Sequence, residues 1–142
     1  MIKKSGSAYW HGGIKDGGGT ISTESGVLKE APYGFKARFE GGKGSNPEEL
    51  LGAAHAACFS MALSLQLGEA GMTAESIRTT ATVSLDKDEG GFTIKAVHLD
   101  VNVKIPRADK SAFEMAAQAA KAGCPVSKLF NADITMDAKL ES

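Results

Sequence analysis

Apolar and polar residues alternate with a period of two at both ends of this chain and lose that alternation in the middle. Ser7 to His11 and Thr20 to Glu24 read as strands on either side of a Gly17-Gly18-Gly19 turn. From Tyr33 to Phe39, the apolar residues Tyr33, Phe35, Ala37 and Phe39 alternate with Lys36 and Arg38, which predicts a third strand. Gly41-Gly42-Lys43-Gly44-Ser45 then makes a flexible loop. It lacks the spacing of a phosphate-binding loop, and phosphate binding is not predicted.

The middle of the chain carries a helix start. Asn46 suits an N-cap, Pro47 the first helical position, and Glu48 and Glu49 the first turn, where the helix dipole favours carboxylates. The helix should run to about Leu67 and stop near Gly68 or Gly71. Apolar residues occupy every face, so the segment predicts a buried helix. At about 31 Å it is long enough to span a bilayer. Its alanine content, the internal His55, Ser60, Ser64 and Gln66, and the strand-like segments on both sides argue against a membrane helix.

Alternation returns afterwards. Ile77, Thr79, Ala81, Val83 and Leu85 share one strand face, and Asp88-Glu89-Gly90-Gly91 reads as a hairpin turn. Phe92, Ile94 and Ala96 share a face, and then Val97, Leu99, Val101, Val103 and Ile105 take over. That one-residue slip predicts a β-bulge near Ala96 and Val97. Pro106 ends the strand. Asp109 caps a helix from Lys110 to Ala122, Gly123 ends it, and Cys124-Pro125 opens a one-turn helix. Ile134, Met136, Ala138 and Leu140 form a last strand. The order is three strands, a helix, two strands, two helices and a strand, an α+β arrangement with mostly antiparallel pairing.

The chain has 142 residues and a formal net charge of −1, which fits one domain over 1–142 with a core of its own. No basic cluster exists to neutralise phosphates, so no nucleic-acid partner is expected. His11, His55 and His98 show no metal-ligand spacing with the cysteines, and neither a metal nor another cofactor is expected. Met1-Ile2-Lys3-Lys4 leads into Ser, Gly, Tyr and Trp rather than an apolar stretch. With two cysteines, Cys58 and Cys124, this points to a reducing cytoplasm, where a disulfide is transient and catalytic.

The two cysteines differ in setting. Cys124 opens a helix, where unpaired amides favour the thiolate. Cys58 lies among Ala, Phe and Met, where desolvation opposes ionisation, and it becomes a nucleophile only beside a cation. Arg38 is the best candidate, and a buried Arg38 needs a carboxylate such as Glu48. Glu48 and Cys58 stand ten residues apart on one helix, about 15 Å along its axis. Glu48 therefore cannot serve Cys58 of its own chain. A site shared across a homodimer interface resolves the mismatch, and the same partner would cover the apolar helix. His55, one turn before Cys58, fits a base but fits a core histidine better. Trp10, Tyr33, Phe35 and Phe39 suit core or interface more than a substrate pocket.

Asn46-Pro47-Glu48-Glu49-Leu50 through Ala56-Ala57-Cys58-Phe59, with Gly123-Cys124-Pro125-Val126-Ser127, resembles the two cysteine motifs of the OsmC/Ohr family, the osmotically inducible and organic-hydroperoxide-resistance proteins. Tyr33-Gly34-Phe35-Lys36-Ala37-Arg38-Phe39-Glu40 and Gly68-Glu69-Ala70-Gly71 are more similar to the OsmC branch. The resemblance covers essentially the whole chain. It implies an OsmC-like subunit with a buried central helix, an intertwined homodimer with two sites across the interface, and thiol-dependent reduction of organic hydroperoxides in stress defence. It also implies roles: Cys58 as peroxidatic thiolate, Cys124 as resolving thiol, Arg38 as the cation that orients the peroxide, and Glu48 as its anchor. Glu49 is the weaker carboxylate candidate. The mechanism needs an external dithiol, which the family suggests is lipoyl-type in the Ohr branch. Competing readings are a redox sensor without turnover and a hydrophobic-ligand binding module with incidental cysteines. Thiol hydrolysis of esters lacks a readable Cys–His–acid arrangement.

Overall fold

The computed structural model describes residues 1–142. The chain divides into two compact units, Met1–Leu50 and Leu51–Ser142.

The first unit is a meander of β1 (Gly6–His11), β2 (Gly18–Thr23) and β3 (Ala31–Tyr33), all antiparallel. The third strand is shorter than the alternation predicts. Gly34 is fully extended (φ −178°, ψ −175°), and the chain then coils into a short helix, α1 (Phe35–Phe39). Phe35 and Phe39 are four residues apart, and their rings pack at 5.0 Å. Spacing that satisfied a period of two also satisfies one helical turn, and the helix wins because Lys36, Ala37 and Arg38 are good helix formers. Only Ala37 of α1 is buried.

Helix α2 (Pro47–Glu69) begins where its caps predict. Asn46 Oδ1 accepts from the Glu49 amide at 2.8 Å, and Ser45 Oγ donates to the Glu49 carboxylate at 2.8 Å. It ends where the Met72 amide bonds the Leu67 carbonyl around Gly71, whose φ of +78° suits glycine.

The second unit holds β4 (Ser76–Asp88), β5 (Gly91–Lys104), α3 (Lys110–Gly123), α4 (Pro125–Leu129) and β6 (Asp133–Glu141). The strands thus form two three-stranded sheets rather than one. β4 and β5 are antiparallel, joined by a two-residue turn with Asp88 facing Gly91. The bulge falls at Lys95, one residue before its expected place, because Ser84 faces Ala96 while Leu85 faces Ile94. β6 returns parallel to β5 through the α3–α4 crossover. Asp109 caps α3 by accepting from the Ala112 amide at 3.1 Å.

The core of this unit joins Phe59, Leu63 and Leu67 of α2 to Leu99, Val101 and Val103 of β5 and to Phe113, Ala117 and Ala120 of α3. Alternate residues of β5 point inward, as the pattern predicts. α2 departs from expectation. It is long and apolar enough to cross a membrane, but Gly52, His55, Phe59, Leu63 and Leu67 form one buried stripe. Met61 and Leu65 stay 76% and 62% exposed. A single chain offers this helix one packing surface, so its remaining apolar faces lie open.

Gly52 marks the closest approach of α2 to β4. A Cβ built there would meet the Ala81 carbonyl oxygen at 2.9 Å. Backbone cannot swing aside as a side-chain tip can. Gly52→Ala would gain about 1 kcal/mol of helix propensity elsewhere. At this position it should lower stability by about 1–3 kcal/mol through overpacking. Urea denaturation checks this, and a variant as stable as the parent would contradict it.

Candidate active site

In the first unit, α1 and the first turn of α2 bring Arg38 to Glu48. Arg38 Nε donates to both Glu48 oxygens at 3.0 and 3.3 Å, and Nη2 donates to Oε1 at 2.8 Å. The forked geometry fixes the guanidinium plane as well as its charge. The carboxylate is mostly buried and the guanidinium about a third exposed. Glu49 is engaged by Ser45 and its amide by Asn46, so Glu48 is the partner. The Arg38 guanidinium also lies 5.1 Å from the Phe39 ring centre. Trp10, Ile14, Tyr33, Phe35, Arg38 and Phe39 line a cavity of about 270 Å³. The aromatic residues read as core or interface thus wall a space that one cation enters.

In the second unit, α2 supplies Cys58 and the break between α3 and α4 supplies Cys124. Both are free thiols, Cys58 partly exposed and Cys124 fully buried. Gly123 closes α3 and Cys124 N-caps α4, so the sulfur sits beside the start of the short helix. The two thiols are close enough to share a hydrogen bond. Burial pushes Cys58 up, and its bond to Cys124 pushes it further. Burial also opposes ionisation of Cys124, but Cys58, the Ser127 amide and hydroxyl and the Val126 amide outweigh it and pull the thiol down. Within this unit no cation is among the groups that set the ionisation of Cys58. An apolar groove lined by Cys58, Met61, Ala62, Leu65, Ala119 and Pro125 runs beside the sulfur.

His55 faces away from a base role toward Cys58. It is fully buried, and its Nε2 lies 2.7 Å from Ser127 Oγ. The Phe130 ring packs against it at 5.3 Å. Ser127 escaped sequence reasoning. The available signal was its place three residues after a helix-capping cysteine, where a hydroxyl turns back to the cap. On the outer face of β5 and β6, His98 Nε2 lies 3.4 Å from Asp100 and 3.2 Å from Asp137, with Nδ1 2.6 Å from Thr135 Oγ1. Those histidine contacts are ion pairs when the ring is protonated, on an open strand surface.

A thiol on α2 paired with one at the break of a βααβ crossover marks a small protein of cysteine chemistry. Residues 40–139 match the family described as OsmC-like protein, and the chain belongs to that family. It is 62% identical to Peroxiredoxin OsmC of Escherichia coli (strain K12), across 99% of each chain. It is 38% identical to the organic hydroperoxide resistance protein OhrB of Bacillus subtilis (strain 168), covering 87% of this chain and 88% of that one. An OsmC-like protein from Mycoplasma pneumoniae shares the fold at a TM-score of 0.78 and 16% identity, over 99% of both chains.

Burial holds His55 below its ordinary value of 6.5. The unfolded chain therefore binds this proton more strongly than the folded one. The stability contributed is intact above 6.5 and lost as pH falls through that value. Stability measured by urea between about pH 7 and pH 5 should decline in the parent, and His55→Gln should lose that component. A difference between the two proteins that does not vary with pH would contradict this.

Proposed function

We infer that this protein is a thiol-dependent peroxidase that reduces organic hydroperoxides to alcohols, and hydrogen peroxide more weakly, in oxidative and osmotic stress defence. The observation that carries the reading is the Cys58–Cys124 thiol pair on a chain similar throughout its length to a named peroxiredoxin. Residues 1–142 act as one OsmC-like domain in the cytoplasm.

Cys58 is the peroxidatic residue. Its thiolate attacks the terminal oxygen of the hydroperoxide, the O–O bond breaks, and its electron pair leaves with the alkoxide, which takes up a proton. Cys58 is left as a sulfenic acid. Cys124 attacks that sulfur, a disulfide forms, and the oxygen leaves as water. An external dithiol of lipoyl type then restores both thiols by exchange. An apolar groove beside Cys58 and an aromatic cavity around Arg38 favour hydroperoxides with greasy substituents over hydrogen peroxide.

The site is composite. Arg38, anchored by Glu48, serves Cys58 of a second copy in an intertwined homodimer. Two features support this. Cys58 lacks a cation among the groups that set its ionisation, and α2 leaves Met61 and Leu65 bare. A second copy supplies both a guanidinium and a cover.

Cys58→Ser should abolish consumption of cumene hydroperoxide with a dithiol reductant, while the parent turns it over rapidly. Equal, slow background in both would sink the peroxidase reading. Subunit mixing tests the shared site separately. Arg38→Gln and Cys58→Ser should each be inactive alone. Refolded together, half the dimers are mixed, and each mixed dimer rebuilds one intact site from the Arg38 of one chain and the Cys58 of the other. Activity should return to about a quarter of the parental value. A site built within one chain would recover none.

A further inference from the structure

We propose that His55 and Ser127 are positioning residues for the resolving step, forming a directed hydrogen-bond chain that donates to the Cys124 sulfur and holds it ready as the attacking group. This deepens the peroxidase reading and rests on Cys124 being the resolving thiol.

A serine hydroxyl carries one proton and can give it to one acceptor. Ser127 Oγ has two neighbours able to accept it, His55 Nε2 at 2.7 Å and the Cys124 sulfur. The other nitrogen of His55 decides between them. Nδ1 is buried and has no partner. With the ring proton on Nδ1, a buried N–H would stand unsatisfied. With the proton on Nε2, only a lone pair is left bare, and orphaned buried donors are the rarer arrangement. The ring therefore carries its proton on Nε2 and donates to Ser127 Oγ. The serine proton is then free for Cys124. Because each bond polarises the next in a dry interior, the imidazole strengthens the serine as a donor.

His55 acts in this chain as a neutral dipole. Burial opposes its protonation, so it is no proton store for the thiol. A core aliphatic residue of similar size would fill the space but could not direct the hydroxyl. Cys58 is the titratable group facing Cys124, and His55 is the titratable group facing Ser127.

The chain acts in both directions of the cycle. On resolution, the Cys124 thiolate attacks the sulfenic sulfur of Cys58. The S–S bond forms, the S–O bond breaks, and hydroxide leaves and gains a proton to become water. One sulfur is oxidised as the other is reduced. On recycling, the same donors stabilise Cys124 as the departing thiolate, which directs the external dithiol to the more exposed Cys58 sulfur.

The test is a titration of the single remaining thiol in a Cys58→Ser background, read by ultraviolet thiolate absorbance. At the pH where Cys124 is half ionised in that reference, Ser127→Ala should cut the thiolate fraction to about one tenth, the effect of one hydrogen bond to a charged sulfur. His55→Leu should move the curve in the same direction by a smaller step. Ser127→Thr and His55→Gln, which keep a donor, should restore it. Ser127→Ala removes a single oxygen and carries the test should His55→Leu fail to fold. Imidazole nitrogen NMR shifts in the parent should show the proton on Nε2. An unmoved curve in Ser127→Ala, or a proton on Nδ1, overturns the proposal. Neither result touches hydroperoxide turnover by the parent, whose loss would instead overturn the peroxidase reading.

Discussion

A cysteine sulfur packed among alanine, phenylalanine and methionine does not ionise at neutral pH unaided, and the architecture follows from that constraint. Burial raises Cys58 above its usual range, and its own thiol partner raises it further. The apolar groove that would suit a greasy substituent also disfavours a thiolate at Cys58. On the proposed mechanism Cys58 needs a cation that is held rigidly and kept from swinging back to water. Arg38 has that character. Glu48 grips it through two of its nitrogens, and the grip fixes direction as well as charge. Glu48 can do this because it stands in the first turn of α2, where a carboxylate is favoured and mostly shielded.

The same helix imposes the second constraint. One face of α2 is committed to β4, β5 and α3, with Gly52 pressed close to the Ala81 carbonyl and Ser60 bonded to Thr79 at 2.7 Å. The other faces are as apolar as a core helix and have nothing over them. Exposed Met61 and Leu65 beside the Cys58 groove are costly in water, each worth about 1.5–3 kcal/mol when covered. In the proposed homodimer a single partner would both cover that surface and deliver a cation to Cys58, so folding and catalysis would draw on the same association.

Local signals were legible and long-range ones were not. The start of α2, the Asp109 cap, the Asp88 to Gly91 turn and the inward face of β5 depend on residues within a turn or a strand pair, and the pattern shows them. The stretch from Tyr33 to Phe39 misled because its aromatic spacing fits a strand and a helix alike, and the helix-forming Lys36, Ala37 and Arg38 between the rings decide it. The pairing of Arg38 with Glu48 was readable because both lie close in sequence and opposite in charge. The bond between His55 and Ser127 spans 72 residues and depends on how α4 docks against α2, which no periodicity encodes. The meeting of the two thiols was read from a family resemblance, since their spacing alone does not bring them together.

The thiol pair shows why a buried histidine can matter without being a base. A base must accept a proton, and a desolvated imidazole resists the charge that follows. A donor needs only an N–H in the right place. The unpartnered Nδ1 of His55 is the residue's cost, and a lone pair without a partner is a smaller one than an unmet donor. With the ring proton directed at Ser127, one thiol of the pair is surrounded by donors and the other by apolar side chains. That asymmetry orders the two sulfurs before any peroxide arrives. On the proposed mechanism a charge from a second copy would favour attack by Cys58, whereas the donors around Cys124 belong to its own backbone and side chains.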